Sequence, residues 1–403
     1  MIDLIFSLTL NVIKIFFSIM AVLGLTYGGS DSSPIYIMFN VFLCVLSIIL
    51  VIINIIKKRW NLNICIALFF PIIIIFLFII NILIYGTSGL VTNFFIIMML
   101  WITSAVYIAI YYAFNDSIKN LYKWFDIQML IMTLACIKTI FVPFIVGGKI
   151  SYIAGSTYQE ASYIAAFCYI INMNFLFMRS SQYSFLALIS KKFNIVRYTL
   201  IPIHIICAVL SGGRGAFVAI VFYSIYIIFL NLKNKKNMLI IMGMILLLLL
   251  IYYYVSNNPT FSSRLERIFS YVNSDGLDIT QTSGRDSLYI EVLEIISKKI
   301  ILGYGIFSSY YVIGHLSPHN IILEILLEGG VVYLIFWLII AIYLIKKYKD
   351  YLLSHEKNIL FILITLSIVN LLFSGSYWQA SFFWFVISYI GVKKSRIEKE
   401  DNQ

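Results

Sequence analysis

The sequence predicts an all-α, polytopic integral membrane protein with about twelve transmembrane helices and one large outer loop that contains short helices. Three observations carry this. The chain is 62% hydrophobic and only 12% charged, whereas soluble domains carry about 25% charged residues. Apolar runs of roughly 17–25 residues recur along its whole length, the length a helix needs to cross the hydrocarbon core. Most of the 29 Lys and Arg residues fall in tufts between those runs.

Spans are expected at roughly 4–24, 34–56, 62–85, 89–113, 124–147, 161–178, 198–211, 215–231, 237–255, 319–345, 358–374 and 377–391. The first run lacks a basic start and a small-residue cleavage site, so it reads as a retained helix rather than a signal peptide. The tufts are Lys57–Arg59, Lys119 and Lys123, Arg179 to Arg197, Lys233 to Lys236, Lys346 to Lys357, and Lys393 to Lys399. All fall on one side if the N-terminus is cytoplasmic, as the positive-inside rule requires. Both termini are then cytoplasmic, and the protein is expected as a multi-pass component of the cytoplasmic (inner) membrane. The net charge of +11 is thus a topology signal, met by membrane lipid; no nucleic-acid partner is expected. The five cysteines lie in apolar runs without CxxC spacing, so neither a metal site nor a disulfide is read. The chain, 1–403, reads as one membrane domain, with an outer loop at 256–318 and a cytoplasmic tail at 392–403.

Within the seventh and eighth spans, SGGRGA interrupts the apolar sequence and places Arg214 at the outer mouth of a tight helical hairpin. Its glycines allow a ligand to approach the backbone closely. The outer loop is expected to hold a helix from near Ser262 and Ser263, carrying Arg264 and Arg267 one turn apart. A second helix is expected from Arg285 to about Ile300. Its apolar positions Leu288, Val292, Ile295 and Ile296 stand opposite Glu291, Glu294 and Lys298, a pattern suited to lying on the membrane.

The chemistry-bearing residues of the outer side are Arg214, Arg264, Arg267, Arg285, His315 and His319. Guanidinium keeps its charge at any pH and grips phosphate bidentately. Arg285 at a helix start adds free N–H groups and the helix dipole. Arginines converging there suggest a diphosphate headgroup. His319 follows Ser317-Pro318, read as N-cap and first helical residue; an imidazole there can accept a proton at neutral pH. Asn320 could orient a substrate, and Glu324 and Glu328 follow at helical spacing. Lys138, in mid-span, and Glu160, at the outer end of the sixth span, are further substrate-contact candidates; Glu160 could equally cap its helix. His204 reads as an interior hydrogen-bonding histidine. Tyr377, Trp378 and the other outer aromatics could stack on sugars, or serve in the interfacial aromatic belt.

Three elements in order, LSGGRGAFVA, GRDSLYIEVLEIISKKIILGYGIFSSYY and SPHNIILEILLEGGVVYLIFW, resemble the bacterial O-antigen polymerase and O-antigen ligase family. The resemblance is sharp over about residues 200–340 and topological elsewhere. It implies a membrane glycosyltransferase that moves a glycan from undecaprenyl diphosphate to a hydroxyl at the outer face, with inversion and without metal or cofactor. It implies that Arg214 and Arg285 bind the diphosphate and that His319 activates the acceptor hydroxyl. Arg264, Arg267, His315, Asn320, Glu160 and Lys138 are then substrate-binding candidates. The leading expectation is a polysaccharide polymerase joining lipid-linked repeat units of O-antigen or capsule. The alternative is a ligase that moves the polymer onto a lipid A core. A flippase fits less well, because no repeated halves are visible. A chain-length regulator and a flippase of the same pathway are candidate partners.

Overall fold

A computed structural model describes residues 19, 34–56, 62–150, 157–178, 193–255, 258–269, 272–273, 276–277 and 285–393. The expected first span lies outside these residues apart from Ile19, as does the tail beyond Lys393. Each of the other eleven expected spans is a helix: α1 Pro34–Ile56, α2 Leu62–Tyr85, α3 Gly89–Phe114, α4 Lys119–Ile145, α5 Tyr158–Phe177, α6 Phe193–Ser211, α7 Arg214–Asn231, α8 Lys235–Val255, and, after the outer loop, α12 Ile321–Tyr351, α13 Ser354–Phe373 and α14 Ser381–Val392. The loop carries α9 Pro259–Phe269, a two-stranded ribbon pairing Val272–Asn273 with Gly276–Leu277, α10 Arg285–Lys298 and α11 Ser309–Ile313. Among the described residues, six helices are long and apolar enough to cross a membrane. The protein is an all-α polytopic membrane protein.

The chain divides into two compact units; apart from N-terminal residues, one holds Ile37–Ile118 and Ile279–Gln403 and the other Lys119–Asp278. In the second unit α5 packs against α4, α6 and α7. Arg197, expected in a basic tuft of a cytoplasmic loop, is instead fully buried, and its Nη2 donates to both carboxylate oxygens of Asp126 (2.5 and 2.7 Å). Nη1 donates to Asn172 Oδ1 at 3.0 Å, and the Phe175 ring lies 4.6 Å away. Proximity to Lys191 and Lys192 in the sequence concealed this; the partner acid is 71 residues away. His204, as expected, is an interior hydrogen-bonding residue, 2.8 Å from Thr133 Oγ1. Residues 137–141 of α4 form a π-turn.

In the first unit the helix ends define two sides. At one, Lys393 Nζ lies 2.5 Å from both Asp116 and Glu356, tying the ends of α3 and α14 to the start of α13. At the other lie the C-terminal ends of α2 and α13 and the N-terminal ends of α12 and α14. There Asn81 donates to the Ile306 carbonyl (3.0 Å) and Tyr85 to that of Tyr304 (2.6 Å), binding the loop before α12 to α2.

The loop between α8 and α12 corrects two expectations. Its first helix begins at Pro259 rather than near Ser262. The apolar face of α10 is spent inside the protein: Val292 and Ile296 pack with Ile313 of α11 and Leu327 of α12, and Leu288 and Ile295 join them. The amphipathic pattern was real, but its apolar partner is protein rather than lipid.

Helix α12 breaks at Gly330, whose φ is +61° and ψ −159°. The loop chain passes so close that a Cβ on Gly330 would sit 2.3 Å from the Ile301 carbonyl oxygen. That approach supplies partners for the backbone groups the break frees. Ile300 O accepts from Val331 N (2.9 Å), and Leu327 O and Glu328 O accept from Tyr304 N and Gly305 N (2.9 and 2.7 Å). A break in an apolar helix is tolerated only where such partners exist.

Candidate functional site

The site in the first unit is built around the turn between α13 and α14. Arg285, the first residue of α10, donates through Nη1 to the Phe373 carbonyl. Two residues on, Gly375 donates its peptide N–H to Nδ1 of His319 at 3.2 Å. Ser317 Oγ donates to the Gly375 carbonyl at 3.0 Å, and Asn320 Nδ2 to the Leu372 carbonyl at 3.4 Å. One short turn therefore holds Arg285, Ser317, His319 and Asn320.

The entry to α12 differs from the expected Ser317-Pro318 start. Asn320 is the N-cap, its Oδ1 accepting from Ile322 N (3.0 Å) and Leu323 N (3.2 Å), and Ile321 is the first helical residue. Asn is as good a cap as Ser, and a buried Ser317 is already committed to Gly375. His319 precedes the cap with φ +57°, in the left-handed region that few residues other than Gly, Asn, Asp and His occupy. That conformation turns the chain into the helix and leaves the imidazole beside the 373–375 turn.

The turn is itself clamped from α12. Glu324 accepts from Ser376 Oγ and, through Oε2, from Tyr377 N at 3.2 Å. Glu328, one turn along, accepts from Tyr377 Oη, from Trp378 Nε1 at 3.0 Å and from Phe307 N at 3.0 Å. Both carboxylates, like Tyr377 and Trp378, are buried. Tyr377 and Trp378 are thus neither sugar-stacking nor interfacial aromatics; their polar atoms serve Glu328. Sequence reasoning noted the spacing of Glu324 and Glu328 but had no signal that pairs them with a turn some fifty residues away.

The electrostatics are one-sided. Burial first, and then the nearby Arg285 and His315, lower the His319 pKa from its ordinary 6.5 to about 4. The imidazole is therefore neutral at pH 7. His315 itself is exposed.

The remaining candidates belong to the second unit. Arg214 opens α7, half-buried, with Gly213 as its N-cap. Gly213 is required by packing: a Cβ there would meet Ser162 Cβ at 2.5 Å. Ser162 Oγ in turn donates to the Ala208 carbonyl at 3.0 Å, closing the α6–α7 hairpin onto α5. Glu160, in the first turn of α5, completes a capping box with Thr157, accepting from its N–H at 2.9 Å. Arg264, half-buried, and Arg267 lie on α9, which packs against α6. These four residues share the end of the unit formed by the start of α5 and the α6–α7 turn. Lys138 is exposed on the π-turn of α4.

Fold and site define a membrane protein whose chemistry-bearing side chains gather at helix ends and in one long loop. Residues 200–338 match the family model described as O-antigen ligase, which supports a likeness to the O-antigen polymerase and ligase family over that segment. No curated protein matches the chain. The matched segment contains Arg214, Arg264, Arg267, Arg285, His315, His319 and Asn320, and excludes Lys138, Glu160 and the 373–378 turn.

Proposed function

We propose that the protein is a polysaccharide polymerase. It joins oligosaccharide repeat units carried on undecaprenyl diphosphate at the outer face of the cytoplasmic membrane, by inverting transfer without a metal. A hydroxyl of the incoming unit attacks C1 of the growing glycan, giving up its proton to His319, as the C1–O bond to the diphosphate breaks. Negative charge builds on the departing diphosphate, and fixed cations placed there stabilise the transition state.

The observation that carries this reading is the attachment of Arg285 and His319 to one turn, at the helix ends opposite the Lys393 clasp. Lys346, Lys347, Lys349 and Lys357 lie toward the clasp, so the positive-inside rule supports an outward-facing site. Arg285, and Arg214 at the N-terminus of α7, are each assigned to diphosphate binding in this reading. Arg264, Arg267, His315, Asn320, Glu160 and Lys138 are assigned to substrate contact. The ligase reading stands second, favoured by the description of the matched family model.

Polymer length on gels separates the two. A deletion strain of the source organism is complemented with wild type, Arg214→Ala, Arg285→Ala or His319→Ala at matched protein levels. A polymerase defect leaves attached glycan of one repeat and no ladder. Loss of all attached glycan, with long carrier-linked polymer accumulating, establishes the ligase. A normal ladder in all three variants rejects the site.

A further inference from the structure

We infer that the groove between α2 and α12, at the end opposite the Lys393 clasp, binds an anionic glycerophospholipid of the surrounding bilayer, with one acyl chain in the groove and its phosphate on Lys299. The inference needs only the membrane-spanning fold and stands apart from the transfer reaction.

The groove has a volume of about 460 Å³, within the roughly 300–1,000 Å³ of small-molecule sites. Leu77, Ile80 and Ile84 of α2 line it with Val332 and Phe336 of α12 and Ile306 of the loop before α12. Glu328 also reaches the lining, but its carboxylate is taken up by Phe307, Tyr377 and Trp378. The surface left for a ligand is apolar. Ile84, Val332 and Phe336 are 62%, 52% and 52% exposed, so the groove opens on the flank that meets hydrocarbon. From Leu77 to Tyr85 it follows α2 for two turns, roughly 12 Å. One leaflet contributes about half of the ~30 Å hydrocarbon core, so a chain of one leaflet fits that depth.

The mouth of the groove is cationic. Tyr304 lines it beside Tyr85, whose hydroxyl donates to the Tyr304 carbonyl. Lys299 Nζ lies 4.6 Å from the centre of the Tyr304 ring. Lys298 and Lys299 are exposed, and among the described residues neither is in an ion pair. Ile300, Ile301 and Leu302 follow at once, 52%, 65% and 72% exposed. Two lysines and then three exposed apolar residues suit the membrane interface, with ammonium groups among headgroups and the apolar side chains in hydrocarbon. The segment is fixed against the groove, because the Ile300 and Ile301 carbonyls accept from Val331 N and Val332 N at the α12 break.

This charge selects the occupant. A cation above an apolar groove matches a phosphate above a hydrocarbon chain. An ammonium is a point charge and suits a phosphodiester. Arg285, assigned to the carrier's diphosphate, opens α10, whereas Lys299 follows its last residue. The 14 residues of that helix separate the two cations by roughly 20 Å, so the lipid headgroup at Lys299 is not the one at Arg285.

Photo-crosslinking tests the site. The full chain is placed in phosphatidylcholine nanodiscs that carry a trace of phosphatidylglycerol, or of phosphatidylcholine, with a diazirine in one acyl chain. Adducts are mapped by peptide mass spectrometry. Phosphatidylglycerol adducts should concentrate on residues 77–85 and 332–336, about fivefold above those of phosphatidylcholine, the ratio one lysine near a headgroup supplies. Unlabelled phosphatidylglycerol should displace them. Lys299→Gln, at an exposed position where folding is not at stake, should bring them down to the phosphatidylcholine level. Val332→Trp, which fills the groove, should remove the adducts on α2. Equal labelling by the two lipids overturns the inference, as does an excess that survives Lys299→Gln, or labelling spread evenly over the lipid-facing helices. Adducts displaced by undecaprenyl diphosphate but not by phosphatidylglycerol also overturn it, and give the groove to the carrier's tail.

Discussion

Arg285 and His319 are tied to the same turn, Arg285 through the Phe373 carbonyl and His319 through the Gly375 N–H. The guanidinium is positioned by an acceptor and the imidazole by a donor. Arg285→Lys keeps the charge but loses the planar fork that reaches both Phe373 and a phosphate. Polymerisation should fall with Lys, and fall ~10²–10³-fold with Ala, measured as ladder formation at matched protein levels.

The clamp on that turn makes a stability prediction. Glu328 receives three donors, from Phe307, Tyr377 and Trp378. In Glu328→Gln the amide NH2 faces donors that an acceptor-only carboxylate satisfied. Each buried polar group left unsatisfied costs ~1–3 kcal/mol. Thermal unfolding of the purified protein in detergent should show a lower Tm for Glu328→Gln and a lower one still for Glu328→Ala. An unchanged Tm in both would remove the clamp from the account.

Gly330 should not tolerate a side chain. Its φ of +61° with ψ −159° lies in a region essentially only glycine occupies, at a cost of ~1–3 kcal/mol, and a Cβ would strike the Ile301 carbonyl oxygen. Gly330→Ala should therefore lower the Tm more than Gly391→Ala, where a Cβ meets nothing within 4 Å.

The buried pair of Arg197 and Asp126 predicts a different pattern. Removing one partner strands a buried charge and costs ~3–5 kcal/mol, whereas replacing both with apolar residues can be neutral. Arg197→Met should destabilise strongly, and Arg197→Met with Asp126→Leu should regain most of the loss in the same unfolding assay.

The pH dependence follows from His319. Its folded pKa, about 4, lies below its ordinary 6.5. Between those values the unfolded chain binds the extra proton, so stability is fully present above pH 6.5 and declines as pH falls toward 4. His319→Gln should flatten that part of the Tm–pH curve. A curve of the same shape in the variant would contradict the assignment.

What the sequence made legible was what local pattern can carry. Eleven apolar runs became helices because length and hydropathy alone specify a spanning segment. Arg285 fell at a helix start, as its position after a polar Gly-containing stretch predicted. What stayed hidden depended on partners far along the chain. Arg197 resembled its basic neighbours until Asp126 was seen beside it. Val292 and Ile296 gave an apolar stripe that membrane and protein could equally have covered. The serine that preceded His319 looked like a cap, yet Asn320 took that place because Ser317 was engaged by Gly375. The 373–378 turn carries no charged residue, so nothing marked it as the element that aligns the site.

The central claim is that cationic side chains hold a lipid-linked diphosphate while one glycan is transferred to another. Lipid-linked repeat units extracted from the deletion strain, incubated with purified protein in nanodiscs, test it most directly. Wild-type protein should lengthen them, and Arg214→Ala and Arg285→Ala should each lengthen them ~10²–10³-fold more slowly. Lengthening at the wild-type rate by both variants would contradict the account.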